Sequence, residues 1–309
     1  MNRLVYLLAV SVLLGCSKGK QLDTATSGTI TITVDEGLKP LIDAEVSAFE
    51  AIYTNAHIKV IYTSEEQAVD LMLKDSARAT IVTRFLAPDE EQILVNQKYK
   101  SRQLKLAIGG VALIVNRASS DTVISMTDFK RILSGEIRHW NWTKYGKKSA
   151  AGMEVVFDQP NSGIIRYLRD SVIRFDSLPR NWFALKGNSA VVEYVSKKKE
   201  ALGLIDLCWI SDRDDSTANT FLSTVKVMGI STDSGFFQPY QAYIAQKQYP
   251  LRREVIMISR EGRTGLASGF MSFIGGQIGQ RVVLKSGLVP ATMPVRIVDI
   301  NRNPISISR

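Results

Sequence analysis

The chain has 309 residues, 45% apolar and 22% charged, which is the composition of an ordinary globular protein large enough for about two domains. Lysine and arginine outnumber aspartate and glutamate by 39 to 30, so the formal charge is +9. That excess alone admits a nucleic acid, an anionic membrane surface, an anionic ligand or a solvated surface. Two cysteines exclude a disulfide-rich scaffold, and 21 glycines and nine prolines without a period exclude a collagen-like chain.

The first fifteen residues have the pattern of an export signal. Arg3 precedes an apolar run over 4–14, which is shorter than the roughly 20 residues that a membrane-spanning helix needs. The run ends in LLGC, residues 13–16, which resembles the lipobox of bacterial lipoproteins. That resemblance implies cleavage before Cys16 and attachment of several acyl chains to it, enough for stable anchoring. We expect a signal peptide over 1–15, with a plain secretory signal as the alternative.

This leader predicts where the protein acts. We expect a lipid-anchored protein in the bacterial cell envelope, attached to the membrane through Cys16 and facing the periplasm or the exterior. The sequence leaves open whether the inner or the outer membrane carries the anchor. A polar stretch over 16–28, rich in Ser, Thr, Gly and Lys, is typical of a flexible tether.

Strand-like and helix-like segments alternate after this tether. Alternating or continuous apolar, β-branched residues predict strands over 29–34, 57–62, 79–83, 104–116 and 154–157. Helices are predicted from Pro40, with Leu41, Val46, Phe49 and Ile52 on the apolar face, over 65–74, and from Ser162. This order favours an α/β fold with mostly parallel sheets and right-handed crossovers. No repeat or linker separates the halves, which indicates domains joined by short crossing strands.

Several segments resemble the phosphate-binding proteins of bacterial ABC transporters. The most distinctive is MTDFKRILSGEIRHW at 126–140, which follows a strand ending in IVN and is similar to the family's "I-F-S-G-x-I-x-x-W". The other matches, in family order, are VTRFLAPDE at 82–90, NSGIIR at 161–166, ALGLI at 201–205, YPLRR at 249–253 and SGLVP at 286–290. Each motif is weak alone, but the ordered set identifies the chain as a divergent member of that family.

The resemblance implies a two-lobed periplasmic-binding-protein-like fold, in which each lobe is a mostly parallel sheet flanked by helices and hinge strands cross between the lobes. It assigns residues 29–112 and 232–309 to one lobe and 113–231 to the other. Proteins of this type close around a ligand by hinge motion. The function it implies is capture of phosphate or a related small ligand in the cleft, with membrane permease components of an ABC-type uptake system as partners.

The expected ligand site combines helix N-termini, hydroxyl groups and arginines, the groups that hold an anion in such a cleft. We predict the following ligand-binding residues: Ser162, Gly163, Arg166, Thr83, Arg84, Gly37, Glu36 and Ser64.

Acidic residues set this chain apart from the family pattern. The first loop, "G-S-T" in the family, reads DEGL over 35–38 without a hydroxyl, and the second loop carries Glu65 and Glu66. Asp158 occupies a position that is often arginine. Carboxylates around a cleft repel a phosphate dianion. Three alternatives therefore stay open for the ligand: phosphate or another oxyanion, a different ligand of cationic or zwitterionic character, or no small ligand. In the last two cases the chain would be an envelope sensor or interaction module that keeps the fold but has changed or lost the phosphate ligand.

Enzyme chemistry is not expected from this chain. It has only His57 and His139, no "G-x-S-x-G" elbow and no phosphate-binding loop for ATP hydrolysis. Ser162 is therefore interpreted as a helix cap, although an exported hydrolase that uses it as a nucleophile is a third hypothesis. Too few His and Cys residues are present for a zinc site, so we predict no catalytic residue, no metal and no cofactor.

Nucleic-acid binding is also not expected. The basic runs at 144–148, 197–199 and 252–253 are short and scattered, and export argues further against this partner. We expect a monomer, with contact to anionic lipid or a partner protein as a minor option. Cys208 lies in an apolar run over 202–210, which predicts a buried, inert thiol.

Overall fold

The computed structural model describes residues 22–146, 152–212 and 214–294, so the predicted signal peptide and Cys16 lie outside the described residues. The strands are β1 Gly28–Asp35, β2 Ala56–Thr63, β3 Ala79–Val82, β4 Arg102–Asn116, β5 Val123–Ser125, β6 Glu154–Phe157, β7 Trp182–Ala184, β8 Ala201–Asp206, β9 Val225–Val227, β10 Gly229–Thr232, β11 Gly235–Phe237, β12 Arg252–Ser259 and β13 Val289–Pro290. The helices are α1 Lys39–Ile52, α2 Glu65–Leu73, α3 Pro88–Asn96, α4 Met126–Leu133, α5 Gly163–Tyr167, α6 Asn188–Lys197, α7 Cys208–Ser211, α8 Ser216–Thr224, α9 Gln241–Ala245, α10 Leu266–Gly275 and α11 Gln277–Lys285.

Local sequence patterns account for the first elements. Ile30, Ile32 and Val34 alternate with threonines along β1, and all three are buried. Helix α1 carries a proline in its first turn, where the missing N–H and the fixed φ angle favour a helix start. The predicted apolar face is wrong at Ile52, which is 48% exposed because it stands at the last position of the helix, beyond the core.

Ten strands of the described residues form one continuous sheet in the order β2-β1-β3-β12-β4-β8-β6-β7, with β9 and β13 also paired to β4. Strands β1, β2 and β3 are parallel, as are β8, β6 and β7, while β12 and β4 run antiparallel to their neighbours. A second sheet of three strands has the order β11-β10-β5. The prediction of mostly parallel sheets flanked by helices is confirmed.

Strand β4 links the two lobes. Its first part, 102–110, pairs with β12, and its second part, 111–115, pairs with β8. We call the half of the sheet on the β12 side the first lobe and the half on the β8 side the second lobe. Each half has its own buried apolar cluster, so one long strand runs through two cores.

Short segments cross the predicted lobe boundaries. Phe237, Ile244 and Tyr249 pack in the core of the second lobe, and Cys208 packs in the core of the first. The lobe boundaries as rigid-body units stay a prediction. At the start of the described chain, the Asp23 carboxylate accepts a hydrogen bond from the N–H at the start of α10 at 2.7 Å, which holds this end of the predicted tether against the first lobe.

Two properties of the whole chain bear on function. In residues 22–146, 152–212 and 214–294, no helix has the length and apolar character needed to cross a bilayer. The thiol of Cys208 is buried, as predicted, and burial raises its pKa well above the usual value.

Candidate functional site

The carboxyl ends of the parallel strands meet at the buried interface between the two lobes, which we call the cleft. On the first-lobe side, β1 ends at Asp35, β2 is followed by Ser64 and β3 is followed by Thr83. On the second-lobe side, β6 is followed by Asp158 and β8 ends at Asp206. Ligands of open α/β sheets bind at such strand ends. The chain therefore places its buried polar side chains where a ligand of this fold would lie.

Helix α5 enters this cleft from the second lobe. The Ser162 hydroxyl caps it by accepting a hydrogen bond from the backbone N–H two residues later at 3.0 Å, as predicted. Gly163 follows, and a Cβ at this position would collide with the Oδ2 of Asp35 and lie 2.9 Å from the Oε2 of Glu65. Two carboxylates of the first lobe thus lie against the start of a second-lobe helix.

Glu65 accepts more hydrogen bonds than any other acid of the cleft. Its side chain is 2% exposed, and its Oε2 accepts hydrogen bonds from the Thr83 N–H at 2.9 Å and the Thr83 hydroxyl at 2.5 Å. The Arg166 guanidinium donates to Glu65 from the second lobe and also lies 3.2 Å from the Thr83 hydroxyl. Burial opposes ionisation of Glu65, but Arg166 and the Thr83 hydrogen bonds outweigh it and lower the pKa of Glu65.

A second arginine–carboxylate pair crosses the cleft deeper in the molecule. Arg253 on β12 donates to Asp206 at the end of β8, with Nη2 and Oδ2 2.5 Å apart and both side chains 2% exposed. Burial lowers the pKa of Arg253, but the charges of Asp206 and Asp35 reverse this effect and raise it above the usual value. The guanidinium therefore stays charged inside the protein.

Two further acids are buried without full hydrogen bonding. Asp35 and Asp158 are each 1% exposed, and one carboxylate oxygen of each has no hydrogen-bond partner among the described residues. Burial raises the pKa of Asp35, and the nearby charges of Glu65 and Asp158 add to this effect against the opposing charge of Arg253. Burial likewise raises the pKa of Asp158 to about 6, although a hydrogen bond from Ser162 opposes the shift. Both acids hold their protons more tightly than an exposed carboxyl group does.

Glu36 caps a helix of the opposite lobe. Its Oε2 accepts hydrogen bonds from the Asn188 side-chain amide at 2.7 Å and from the Asn188 N–H, the first of α6, at 3.2 Å. The preceding Gly187 has a φ of 96°, and a Cβ there would lie 2.8 Å from the Oε1 of Glu36. Glu36 thus satisfies a free N–H of a helix start and complements its dipole. Burial raises the pKa of Glu36.

Arg84 has its own carboxylate partner. Its two terminal nitrogens donate to the two oxygens of Glu90 at 2.6 and 2.7 Å, and its Nε lies 3.6 Å from Glu65. The hydrogen bonds to Glu90 raise the pKa of Arg84 against the effect of burial. The guanidinium fork of Arg84 is therefore already occupied, although the residue borders the cleft as predicted.

The remaining predicted residues have supporting positions. The Gly37 N–H donates to Asp35 at 3.1 Å, and Ser64 caps α2 by accepting from the Gln67 N–H at 3.4 Å. Glu66, grouped with the cleft acids from sequence, is exposed because it follows Glu65 on the outer side of the helix. A ligand-binding role for the eight predicted residues stays a prediction.

Three cleft residues are absent from the sequence-based site. Arg253 matched a family motif but was grouped with the scattered basic runs, and Asp206 and Asn188 carried no distinctive local pattern. Asp206 is the last residue of a buried apolar strand, and this place at a strand end, where ligand-facing residues of parallel sheets occur, is the one signal that points to it.

Carboxylates outnumber arginines in the cleft. The acids are Asp35, Glu36, Glu65, Asp158 and Asp206, and the arginines are Arg84, Arg166 and Arg253. In the described part of the chain, no group of three or more His, Cys, Asp or Glu residues is arranged to hold a metal ion. Each of the three arginines is paired with a carboxylate.

A model of the PBP superfamily domain matches residues 19–276. The chain belongs to that superfamily. Among PBP relatives, the phosphate-binding protein PstS of Bacillus subtilis (strain 168) is 22% identical over 310 residues, which cover 94% of this chain and 95% of the relative. The resemblance stated from sequence motifs is thus confirmed at the level of the whole chain.

Solved structures of PBP relatives have the same fold. A putative phosphate ABC transporter substrate-binding protein from Clostridium perfringens, with bound phosphate, has a TM-score of 0.71 at 19% identity, covering 85% of this chain and 99% of that one. An ABC-type phosphate transport receptor from Vibrio cholerae has a TM-score of 0.62 at 17% identity, covering 85% of this chain and 100% of that one. The predicted two-lobed fold is confirmed.

Proposed function

We propose that this PBP superfamily member is an extracytoplasmic solute-binding protein that captures phosphate or a related small ligand between its lobes and delivers it to an ABC-type permease. The observation that carries the proposal is the convergence in one cleft of Thr83, which follows β3 in the first lobe, with Ser162 and Arg166 of helix α5 in the second lobe. A hydroxyl, a capped helix start and a guanidinium are donors that suit an oxyanion. The phosphate-binding relatives support this ligand class.

The proposed setting follows from the leader. Residues 1–15 act as a signal peptide, Cys16 carries the lipid anchor, and the folded part works as a monomer on the outer side of a membrane. The protein has no enzymatic activity in this proposal, since a receptor releases its ligand unchanged.

Titration calorimetry of the full chain with inorganic phosphate tests the proposal. We expect saturable binding, weakened about tenfold or more in Arg166→Met because a charge-assisted hydrogen bond is lost. Arg131→Met is the matched control, since Arg131 forms an exposed pair with Glu136 at 2.7 Å outside the cleft. Absence of binding heat at millimolar phosphate contradicts phosphate as the ligand.

A second candidate, an envelope interaction module that keeps the fold without a small ligand, is favoured by one observation. Every cleft arginine already has a carboxylate partner, and the cleft acids Asp35 and Asp158 are buried. A ligand that binds the folded state raises its thermal midpoint by mass action. An unchanged midpoint with phosphate, with other oxyanions and with zwitterionic amino acids supports the module and contradicts the receptor.

A further inference from the structure

The donors predicted for an anionic ligand are directed at a side chain of the protein itself. Thr83 contributes its N–H and hydroxyl to Glu65 at 2.9 and 2.5 Å, Arg166 donates to the same carboxylate, and the Nε of Arg84 lies 3.6 Å away. The sequence predicts all three as ligand-binding residues. Their shared partner is Glu65.

A carboxylate can replace an oxyanion at such a position. Carboxylate and phosphate oxygens accept hydrogen bonds from the same groups: backbone N–H, hydroxyl and guanidinium. The Glu65 side chain is 2% exposed, so it occupies the desolvated position that a captured anion requires. The Glu65 carboxylate thus accepts the hydrogen bonds of Thr83 and Arg166 without a bound ligand.

The contact joins the two lobes. Glu65 and Thr83 belong to the first lobe and Arg166 to the second, so their hydrogen bonds form only when the lobes are closed. Glu36 and Asn188 form a second contact between lobes at 2.7 Å. Both contacts use first-lobe carboxylates on second-lobe donors.

We propose that Glu65 is an internal ligand of the cleft: its carboxylate takes the donors of an oxyanion and holds the lobes closed before any solute binds. This inference rests on the proposed function, because a solute must displace Glu65 to reach Thr83 and Arg166. Glu65 is then the residue that sets the affinity and selectivity of the cleft. An oxyanion must compete with an anchored carboxylate of the same chain.

The distance between the lobes tests the proposal in the full chain without ligand. Spin labels on non-canonical amino acids at positions 74 and 197 report it by pulsed electron resonance. Lys74 and Lys197 are 69% and 68% exposed, and they stand directly after α2 and at the end of α6, away from the cleft. For wild type dialysed free of solute, we expect one short distance that added phosphate does not shorten. A longer distance that shortens with phosphate overturns the internal ligand.

Glu65→Ser removes the carboxylate, and Arg166→Met removes its partner on the other lobe. We expect both variants to shift the distance distribution to longer values, while Glu136→Gln, which breaks an exposed glutamate–arginine pair, leaves it unchanged. Circular dichroism checks that each variant is folded. If a variant is not folded, the distance measured in the wild-type protein decides the proposal. A folded Glu65→Ser protein with the wild-type distance overturns it.

Calorimetry separates this inference from the proposed function. With phosphate as the ligand, we expect Glu65→Ser to bind it about tenfold or more tightly than wild type, because the competitor is gone. Equal affinities in the two proteins overturn the internal ligand and leave the receptor function standing. No phosphate binding by either protein, with wild type closed and Glu65→Ser open, upholds the internal ligand and contradicts phosphate as the solute.

Discussion

The two arginine–carboxylate pairs that cross the cleft are alike in chemistry but differ in burial. Arg253 and Asp206 are both 2% exposed, whereas Arg166 is 21% exposed beside a Glu65 that is 2% exposed. Arg253 stands on a strand of the central sheet, and Arg166 stands on a helix of five residues. Removing one partner of a buried ion pair destabilises the folded protein far more than removing one partner of a solvent-exposed pair. The inner pair, Arg253 with Asp206, therefore stabilises the folded structure. The outer pair, Arg166 with Glu65, can break and form again as the lobes open and close.

The largest expected effect comes from the inner pair. Arg253→Met leaves Asp206 buried without its counter-charge, and we expect the free energy of unfolding to fall by about 3–5 kcal/mol. Urea denaturation measures it, with Arg131→Met as the exposed control, which we expect to change stability by less than about 1 kcal/mol. If Arg253→Met loses no more stability than Arg131→Met, Asp206 must be solvated or have another partner in the variant. The Arg253–Asp206 and Arg166–Glu65 pairs would then not differ in their contribution to stability.

The pH dependence of stability comes next in size, and it reports on the burial of Asp158 near the inner pair. The pKa of Asp158 is about 6 in the folded protein, raised by burial from an ordinary value of 3.8. The folded state thus binds this proton more tightly than the unfolded state, so stability falls as pH rises from about 4 to 6, by about 2–3 kcal/mol. Above about pH 7, where Asp158 is ionised in both states, this contribution is constant.

Urea denaturation in a pH series checks this slope. Asp158→Asn should flatten it, whereas Asp70→Asn, at an exposed helical pair with Lys74, should not. Glu65 contributes with the opposite sign, because its pKa is lowered: its stabilisation is present above the ordinary carboxyl pKa and is lost in acid. A slope that persists in Asp158→Asn would assign the titration to Asp35, whose pKa burial also raises.

The outer pair should respond less than the inner one. Arg166→Met removes the charge-assisted hydrogen bonds to Glu65, and we expect a loss of about 1–2 kcal/mol because water reaches the arginine side. Arg166→Lys should recover part of it. If urea denaturation shows equal losses in the free energy of unfolding for Arg166→Met and Arg253→Met, the expected difference between the outer and the inner pair is contradicted.

The smallest predicted effect concerns Glu36, the cleft acid whose partner, Asn188, is uncharged. Glu36→Ala removes the side-chain cap from the start of α6, and a lost cap costs about 0.5–1 kcal/mol. Thermal denaturation measures this loss. A decrease above about 2 kcal/mol would show that Glu36 contributes more to stability than a helix cap and more than the Arg166–Glu65 pair.

Much of the fold could be predicted because the patterns that specify it are local. A strand over 29–34 was expected from alternating Thr and Ile, and β1 spans Gly28–Asp35. The Ser162 cap followed from a hydroxyl placed just before a helical segment. Both signals involve residues within a few positions of one another, where hydrogen bonds and side-chain periodicity act.

Side-chain direction within an element was harder to predict. Arg252 and Arg253 look like one basic run, yet neighbouring residues of a strand face opposite sides, so Arg253 is buried while Arg252 is partly exposed. Glu65 and Glu66 differ in the same way at the start of α2, where one is buried and the other exposed. Which of two like residues turns inward depends on the register of the element against its neighbours.

The sequence by itself determined the order of the first strands and helices, the Ser162 cap, the family and an excess of acids near the expected ligand loops. The tertiary structure alone decided which charges meet: Glu65 and Arg166 are 101 positions apart, and Asp206 and Arg253 are 47 apart. The physical reason is that charge pairing in a desolvated cleft depends on distances of a few ångströms between strand ends. Those distances depend on strand order and lobe closure, which cannot be predicted from local sequence patterns.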